Sequence, residues 1–82
     1  MRVSGFRVTT TVEVSKELGA YGEERRPLIE EALGLLSDES AMVAGLPDGP
    51  GRCAELIPGT AFYWFVLEQP RLVVVWQIAT LA

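Results

Sequence analysis

Two nearly uncharged apolar runs occupy residues 60–79 and constrain the fold of this chain more than any other part of its sequence. Both runs are rich in aromatic and β-branched residues, which favour β-strands, and residues 68–71 join them with the sequence Glu-Gln-Pro-Arg. This pattern predicts a β-hairpin. Because Gln77 is the one clearly polar side chain in the second run, we expect both faces of the hairpin to need cover from other apolar groups.

Cover for the two faces could come from the rest of the chain or from another molecule, and the sequence leaves both alternatives open. A hairpin buried on both sides within one chain is an ordinary core, whereas a large uncovered apolar face is rare on monomers and marks a contact surface. The candidate contact residues alternate along the two arms, and the pattern does not decide which face points outward. These interface candidates are Phe62, Trp64, Val66, Val73 and Val75.

Upstream of the hairpin, the sequence predicts one strand and one main helix. Apolar and polar residues alternate over residues 6–14, which is typical of a half-buried strand, and residues 15–22 favour a loop or one short helical turn. Apolar residues recur at three- and four-residue spacing over residues 23–37. This spacing predicts an amphipathic helix, with Pro27 in or near its first turn.

A turn rich in Pro and Gly at residues 47–51 leads to a further strand at residues 52–57, directly before the hairpin. We therefore predict an α+β fold in the order β-α-β-β-β: a four-stranded, mainly antiparallel sheet with one main amphipathic helix packed on one face. The chain has 82 residues, of which 49 % are hydrophobic and 22 % are charged. This length and composition predict a single globular domain over residues 1–82.

Histidine is absent and Cys53 is the only cysteine, and these two facts exclude several classes of site. An internal disulfide or a thiolate metal cluster needs more than one cysteine, and Ser-His-Asp, Cys-His and common zinc sites need histidine. We therefore predict no metal and no cofactor, and no catalytic residue is assigned. The composition favours a role other than catalysis.

Net charge and hydropathy bear on the partners of the chain. A net charge of −4 and a pI near 4.6 disfavour binding to a phosphate backbone, so we expect no nucleic-acid partner. No apolar stretch reaches the ~18 residues of a membrane span, and the first residues lack the apolar region of a secretory signal. We expect a cytoplasmic protein without a membrane partner, which binds a protein partner or a second copy of itself.

Three segments follow the pattern of a known family. They are the end of the predicted helix at residues 29–38, the loop with Pro and Gly at residues 46–51, and residues 55–59 (Glu-Leu-Ile-Pro-Gly) leading into the hairpin. In this order they resemble the RelE/ParE toxin superfamily of bacterial toxin–antitoxin systems. The resemblance implies a similar fold and a protein partner, in that family an antitoxin segment. The arginines that such toxins typically carry around this turn are absent on both sides of Gly59, so no catalytic residue carries over.

Three polar side chains in and before the hairpin are further site candidates. Glu55 lies beside apolar neighbours in a predicted strand, where a carboxylate can serve as a general base. Tyr63 could donate a hydrogen bond to a ligand, and Arg52 could bind an acidic group. Each also has a structural interpretation, as a solvated strand residue, a tyrosine at the rim of the core, or a charge beside a turn.

These observations lead to three functional hypotheses. The leading one is a small protein-interaction domain, RelE/ParE-like in shape and without nuclease activity, that dimerises through an apolar sheet surface. The first alternative is an active toxin of a RelE/ParE-like toxin–antitoxin pair. The second is a small ligand-binding protein or carboxylate-dependent enzyme, which requires a pocket between helix and sheet lined by Glu55 or Tyr63.

Overall fold

The computed structural model describes residues 5–81, apart from the side chains of Glu39 and Ser40. The prediction about a secretory signal falls in part on residues 1–4, which lie outside the described part, as does residue 82. None of the helices within residues 5–81 is long and apolar enough to cross a membrane. The elements are β1 (Arg7–Thr10), α1 (Val12–Ala20), α2 (Arg26–Gly34), a 3₁₀ helix (Glu39–Met42), β2 (Leu46–Asp48), β3 (Gly51–Ile57), β4 (Thr60–Leu67) and β5 (Leu72–Thr80).

Within residues 5–81, five strands form one sheet in the order β1-β5-β4-β3-β2. Strands β3, β4 and β5 pair as the predicted antiparallel meander, and β2 pairs antiparallel with β3. Strand β1 pairs parallel with β5, so the sheet is mixed. The α+β class is confirmed, whereas the predicted four-stranded sheet with one helix is corrected to five strands and two α-helices in the described part of the chain.

The strand predicted for residues 6–14 ends early because a helix begins inside it. Strand β1 stops at Thr10, and Thr11 caps α1 with its Oγ1, which accepts a hydrogen bond from the Val14 N–H at 3.4 Å. A threonine at this position satisfies one of the N–H groups that a helix start leaves without a partner. Val14 is 1 % exposed and Val12 is 68 % exposed, so the alternating valines also suit a helix that buries one of them.

Helix α2 lies inside the range predicted for the main helix, residues 23–37, and is shorter at both ends. Pro27 occupies its first turn, as predicted, where a missing N–H costs no helical hydrogen bond. After the helix, the Ser37 hydroxyl donates to the carbonyl oxygen of Gly34 at 2.7 Å. Ile29 is buried against the sheet, so this helix covers one sheet face as expected.

The turn predicted for residues 47–51 contains the end of a short strand. Strand β2 ends at Asp48, and the chain then reverses through Gly49, whose φ of +57° favours glycine. Asp48 pairs with Gly51 across this reversal. Pro47 is compatible with a strand here because β2 is an edge strand, where a missing N–H breaks no ladder on the outer side.

A bulge in β5 decides which of its apolar side chains are buried. Tyr63 pairs with Gln77 and Trp64 pairs with Val75, so Trp76 is an extra residue without a partner in β4. The alternation of inward and outward side chains in β5 therefore shifts by one residue at this point. The buried cluster lies between the helices and one face of the sheet, and its members are Phe6, Val14, Ile29, Ala32, Leu36, Ala41, Phe62, Trp64, Val73, Val75 and Ile78.

We expect Gly45→Ala to destabilise the fold. Gly45 has a φ of +69°, and a Cβ at this position would collide with the backbone carbonyl of Cys53. The free energy of unfolding, measured by urea denaturation, should fall by about 2 kcal/mol or more. Gly19→Ala is the matched control, because a Cβ there meets nothing within 4 Å, and alanine in α1 should be neutral or stabilise by up to about 1 kcal/mol. Equal stability of the two variants would contradict this account.

Candidate interaction surface

Most of the interface candidates lie inside the chain. Phe62, Trp64, Val73 and Val75 are each 0 % exposed and belong to the cluster beneath the helices. Val66 is partly buried and packs against the same cluster. A contact with another molecule at the four buried side chains would require the helices to move away. Any surface formed by the hairpin in this fold must therefore use its other side.

The other side of the sheet carries apolar side chains that neither helix covers. The pairing of Cys53 with Tyr63 places these two residues on one face, opposite to Trp64. Trp76 and Leu67 on this face are each 40 % exposed. We name this side the open face, and its larger apolar and aromatic members are Leu46, Cys53, Tyr63, Phe65, Leu67, Leu72, Val74 and Trp76.

Aromatic rings form the centre of the open face. The rings of Tyr63 and Trp76 lie 5.5 Å apart between centroids and are tilted by 50°, a geometry that aromatic pairs favour. Beside them, Phe65 and Trp76 line a shallow hollow of about 410 Å³ together with residues 48–51. The bulge at Trp76 creates this arrangement, because it keeps the indole on the outer side of the sheet.

Arg52, the basic site candidate, stabilises the loop at residues 43–45. Its Nε donates to the Ala44 carbonyl oxygen at 2.7 Å, and its Nη2 donates to the carbonyl oxygens of Val43 and Gly45 at 3.1 Å each. A guanidinium fits this role because its donors lie in a rigid plane. Arg52 pairs with Trp64 and so lies on the covered side of the sheet, opposite to Tyr63. The structure therefore does not bring these two candidates together.

Glu55, the candidate general base, is exposed and closes a turn. Its Oε2 accepts a hydrogen bond from the Gly59 N–H at 2.8 Å, and Gly59 adopts a φ of +81°. Besides the hollow at Trp76, one hollow of about 500 Å³ lies beside Arg71 and another of about 310 Å³ lies beside Arg52. Glu55 lines none of these three hollows, and neither does Tyr63. The pocket that a carboxylate-dependent enzyme requires beside Glu55 or Tyr63 is therefore not among these three hollows.

Charge is distributed unevenly between the helical layer and the sheet. The sequence segment 12–42, which builds the helical layer, contains eight acidic and three basic residues. The remaining three acidic residues are Asp48, Glu55 and Glu68. The open face thus presents mainly rings and aliphatic groups, whereas the helical layer is acidic.

Among the described residues, no three His, Cys, Asp or Glu side chains lie close enough together to hold a metal ion.

Comparison with known proteins bears on the fold. No protein-family model matches the sequence, and no curated protein matches it at a significant level. Among solved structures, a double arginine-to-alanine mutant of the E. coli toxin RelE in the free state superposes with a TM-score of 0.72 and covers 93 % of this chain and 83 % of that chain. The fold is RelE-like. The two sequences are 15 % identical, so the likeness concerns the fold, and the resemblance predicted from the sequence is confirmed at that level.

The sequence pattern assigned the outward face of this RelE-like sheet incompletely. Strict alternation groups Trp76 with Ile78, whereas the bulge separates them onto opposite faces. One signal for the correct face was present. Gln77, the polar residue of β5, pairs with Tyr63 on the open face, where amide and hydroxyl groups reach solvent.

Replacing the two tryptophans separately should distinguish the two sides of the sheet. Trp64 donates from Nε1 to the Ala41 carbonyl oxygen at 2.8 Å in a buried setting. Trp64→Phe should therefore lower the free energy of unfolding by about 2 to 3 kcal/mol, because it leaves that carbonyl unsatisfied and a void beside it. Trp76→Phe should change the free energy of unfolding by less than about 1 kcal/mol. Thermal and urea denaturation measure both values, and a larger loss for Trp76→Phe would contradict the assignment of faces.

Proposed function

We propose that this chain is a small, single-domain protein-interaction module of the cytoplasm, RelE-like in shape and without nuclease activity. Its open face binds a protein partner or a second copy of the chain. The observation that carries this proposal is the pair Trp76 and Leu67, each 40 % exposed on a sheet face that has no helix over it. Contiguous exposed apolar groups of this kind mark interaction sites on soluble proteins.

The chemistry of the open face supports contact by packing. Tyrosine and tryptophan bury much apolar area while keeping a polar atom for the rim, and both are enriched at interfaces. Phe65 and Val74 are half-buried between them, so a partner would complete a layer that the chain has begun. An aromatic anchor in a hollow is typical of the few residues that carry most of the binding free energy.

We infer the absence of nuclease activity from the hydrogen bonds that Arg52 and Glu55 make. Arg52 is held by three loop carbonyls and Glu55 by the N–H of Gly59. Cleavage of a phosphodiester requires charge stabilisation on the phosphate and a proton acceptor near the attacking oxygen. Neither residue is arranged for such a role, and the net charge of −4 repels nucleic acid.

A second candidate function is that of a toxin, because the RelE structure with the similar fold is that of a toxin. The solved structure that covers 93 % of this chain is described as a toxin, and such a protein would act through residues other than those assigned above. Strong expression in a bacterial host should then arrest growth, and co-expression of a protein encoded next to the gene should relieve the arrest. Normal growth under strong, verified expression would count against the toxin.

The leading proposal predicts that the protein associates through the open face. A charged side chain introduced on that face should abolish the association. In size-exclusion chromatography with light scattering at micromolar concentration, the protein should run as a dimer or bind a hydrophobic dye. Trp76→Glu and Leu67→Glu should each remove the association or the dye binding, because a carboxylate cannot be buried there without a partner. Leu28→Glu is the matched control, since Leu28 is 50 % exposed on α2 and should leave both signals unchanged.

Circular dichroism and thermal denaturation serve as the control that the three glutamate variants fold. A strictly monomeric protein that binds no hydrophobic dye contradicts the proposal. So does a glutamate at residue 28 that acts as strongly as one at residue 76.

A further inference from the structure

The hollow beside Trp76 has two aromatic residues and one acidic residue in its lining. It measures about 410 Å³, and its lining is Asp48, Gly49, Pro50, Gly51, Phe65 and Trp76. The lining surface is mainly apolar, and Asp48 supplies its one charged group. Two glycines and a proline form the remaining wall, so no long side chain fills the space.

Asp48 is half-buried as a residue, and no side chain of the described residues forms an ion pair or a hydrogen bond with it. The nearest candidate cation along the ladder is Arg52, because Arg52 pairs with Pro47, the residue before Asp48. Its guanidinium is committed to the carbonyl oxygens of residues 43–45. A carboxylate that is partly removed from water without a counter-charge attracts a cation from outside.

The rings beside Asp48 favour the same kind of ligand. The face of an aromatic ring carries partial negative charge, and tryptophan attracts cations more strongly than phenylalanine or tyrosine does. A guanidinium suits this hollow better than an ammonium, because it is planar, stacks on a ring and can bond both oxygens of a carboxylate.

We propose that the hollow binds an arginine side chain of a protein partner, with the guanidinium against the ring of Trp76 and paired with the carboxylate of Asp48. This inference rests on the proposed function, in which the open face binds a protein, and adds the chemistry of one contact. The apolar part of the partner then lies over Phe65 and the neighbouring open face. The site therefore distinguishes a partner with an arginine at this point from one that is only apolar.

Nuclear magnetic resonance can test the site with a defined probe. The two indole N–H signals in a ¹⁵N-correlation spectrum separate Trp76 from the buried Trp64, and Trp76→Phe assigns them. The probe is a capped Gly-Arg-Gly tripeptide, titrated into the full chain at millimolar concentration. The Trp76 signal should shift to saturation while the Trp64 signal stays in place. A capped Gly-citrulline-Gly tripeptide, which has the same shape without the charge, should shift the Trp76 signal at least about tenfold more weakly.

Two matched variants distinguish the effect of the Asp48 carboxylate on peptide binding from the effect of the net charge. Asp48→Asn keeps the shape of the side chain and should raise the Kd of the arginine peptide about tenfold. Glu30→Gln removes the same charge from the exposed side of α2, across the sheet from this hollow, and should leave the Kd within about twofold, since exposed charges at a distance are screened. Equal shifts from the arginine and citrulline peptides, or equal effects of the two variants, would overturn the proposal. If the arginine peptide shifts nothing while Trp76→Glu still abolishes association, the inference fails and the open face remains the contact surface.

Discussion

The buried indole of Trp64 is the contact on which the arrangement of the molecule depends. It projects from β4 into the cluster under the helices, and its N–H reaches the carbonyl oxygen of Ala41 at the end of the helical region. Burial of a ring of this size contributes on the order of 5 kcal/mol. Because side chains alternate along a strand, placing Trp64 inward places Tyr63 and Phe65 outward. The core therefore determines which aromatic groups the open face presents.

Arg52 and Glu55, two of the polar site candidates from the sequence, stabilise a loop and a turn instead of forming a reactive site. Arg52 organises the segment between the 3₁₀ helix and β2, and Gly45 allows that segment to approach the Cys53 backbone closely. Glu55 closes the turn between β3 and β4. These local tasks leave Asp48 as a partly buried charge without a partner among the described side chains. In the proposed function, contact with a partner accordingly rests on packing, and the Asp48 carboxylate selects the group that enters the hollow.

The sequence predicted features that depend on long, regular patterns. The apolar runs predicted the hairpin of β4 and β5, and the spacing of apolar residues around Ile29 predicted helix α2. It did not predict α1, since the side-chain cap at Thr11 begins a helix inside an alternating pattern. Nor did it predict the outward face, since the bulge at Trp76 shifts the alternation by one residue and leaves no change in composition. Local hydrogen bonding and register carry most of that information, and the polar Gln77 is its one trace in the hydrophobicity pattern.

The two outer strands of the sheet are short, with four residues in β1 and three in β2, and β2 includes Pro47. So few free backbone groups on the described edge strands disfavour the addition of further strands at either side, which is how sheets grow into fibres. The proposed association would instead proceed face to face. Because one molecule is enough to cover the open face, such an assembly would stop at two molecules. A homodimer of this kind would have a two-fold axis. Short edges thus limit the stoichiometry of any complex formed through the broad surface beside them.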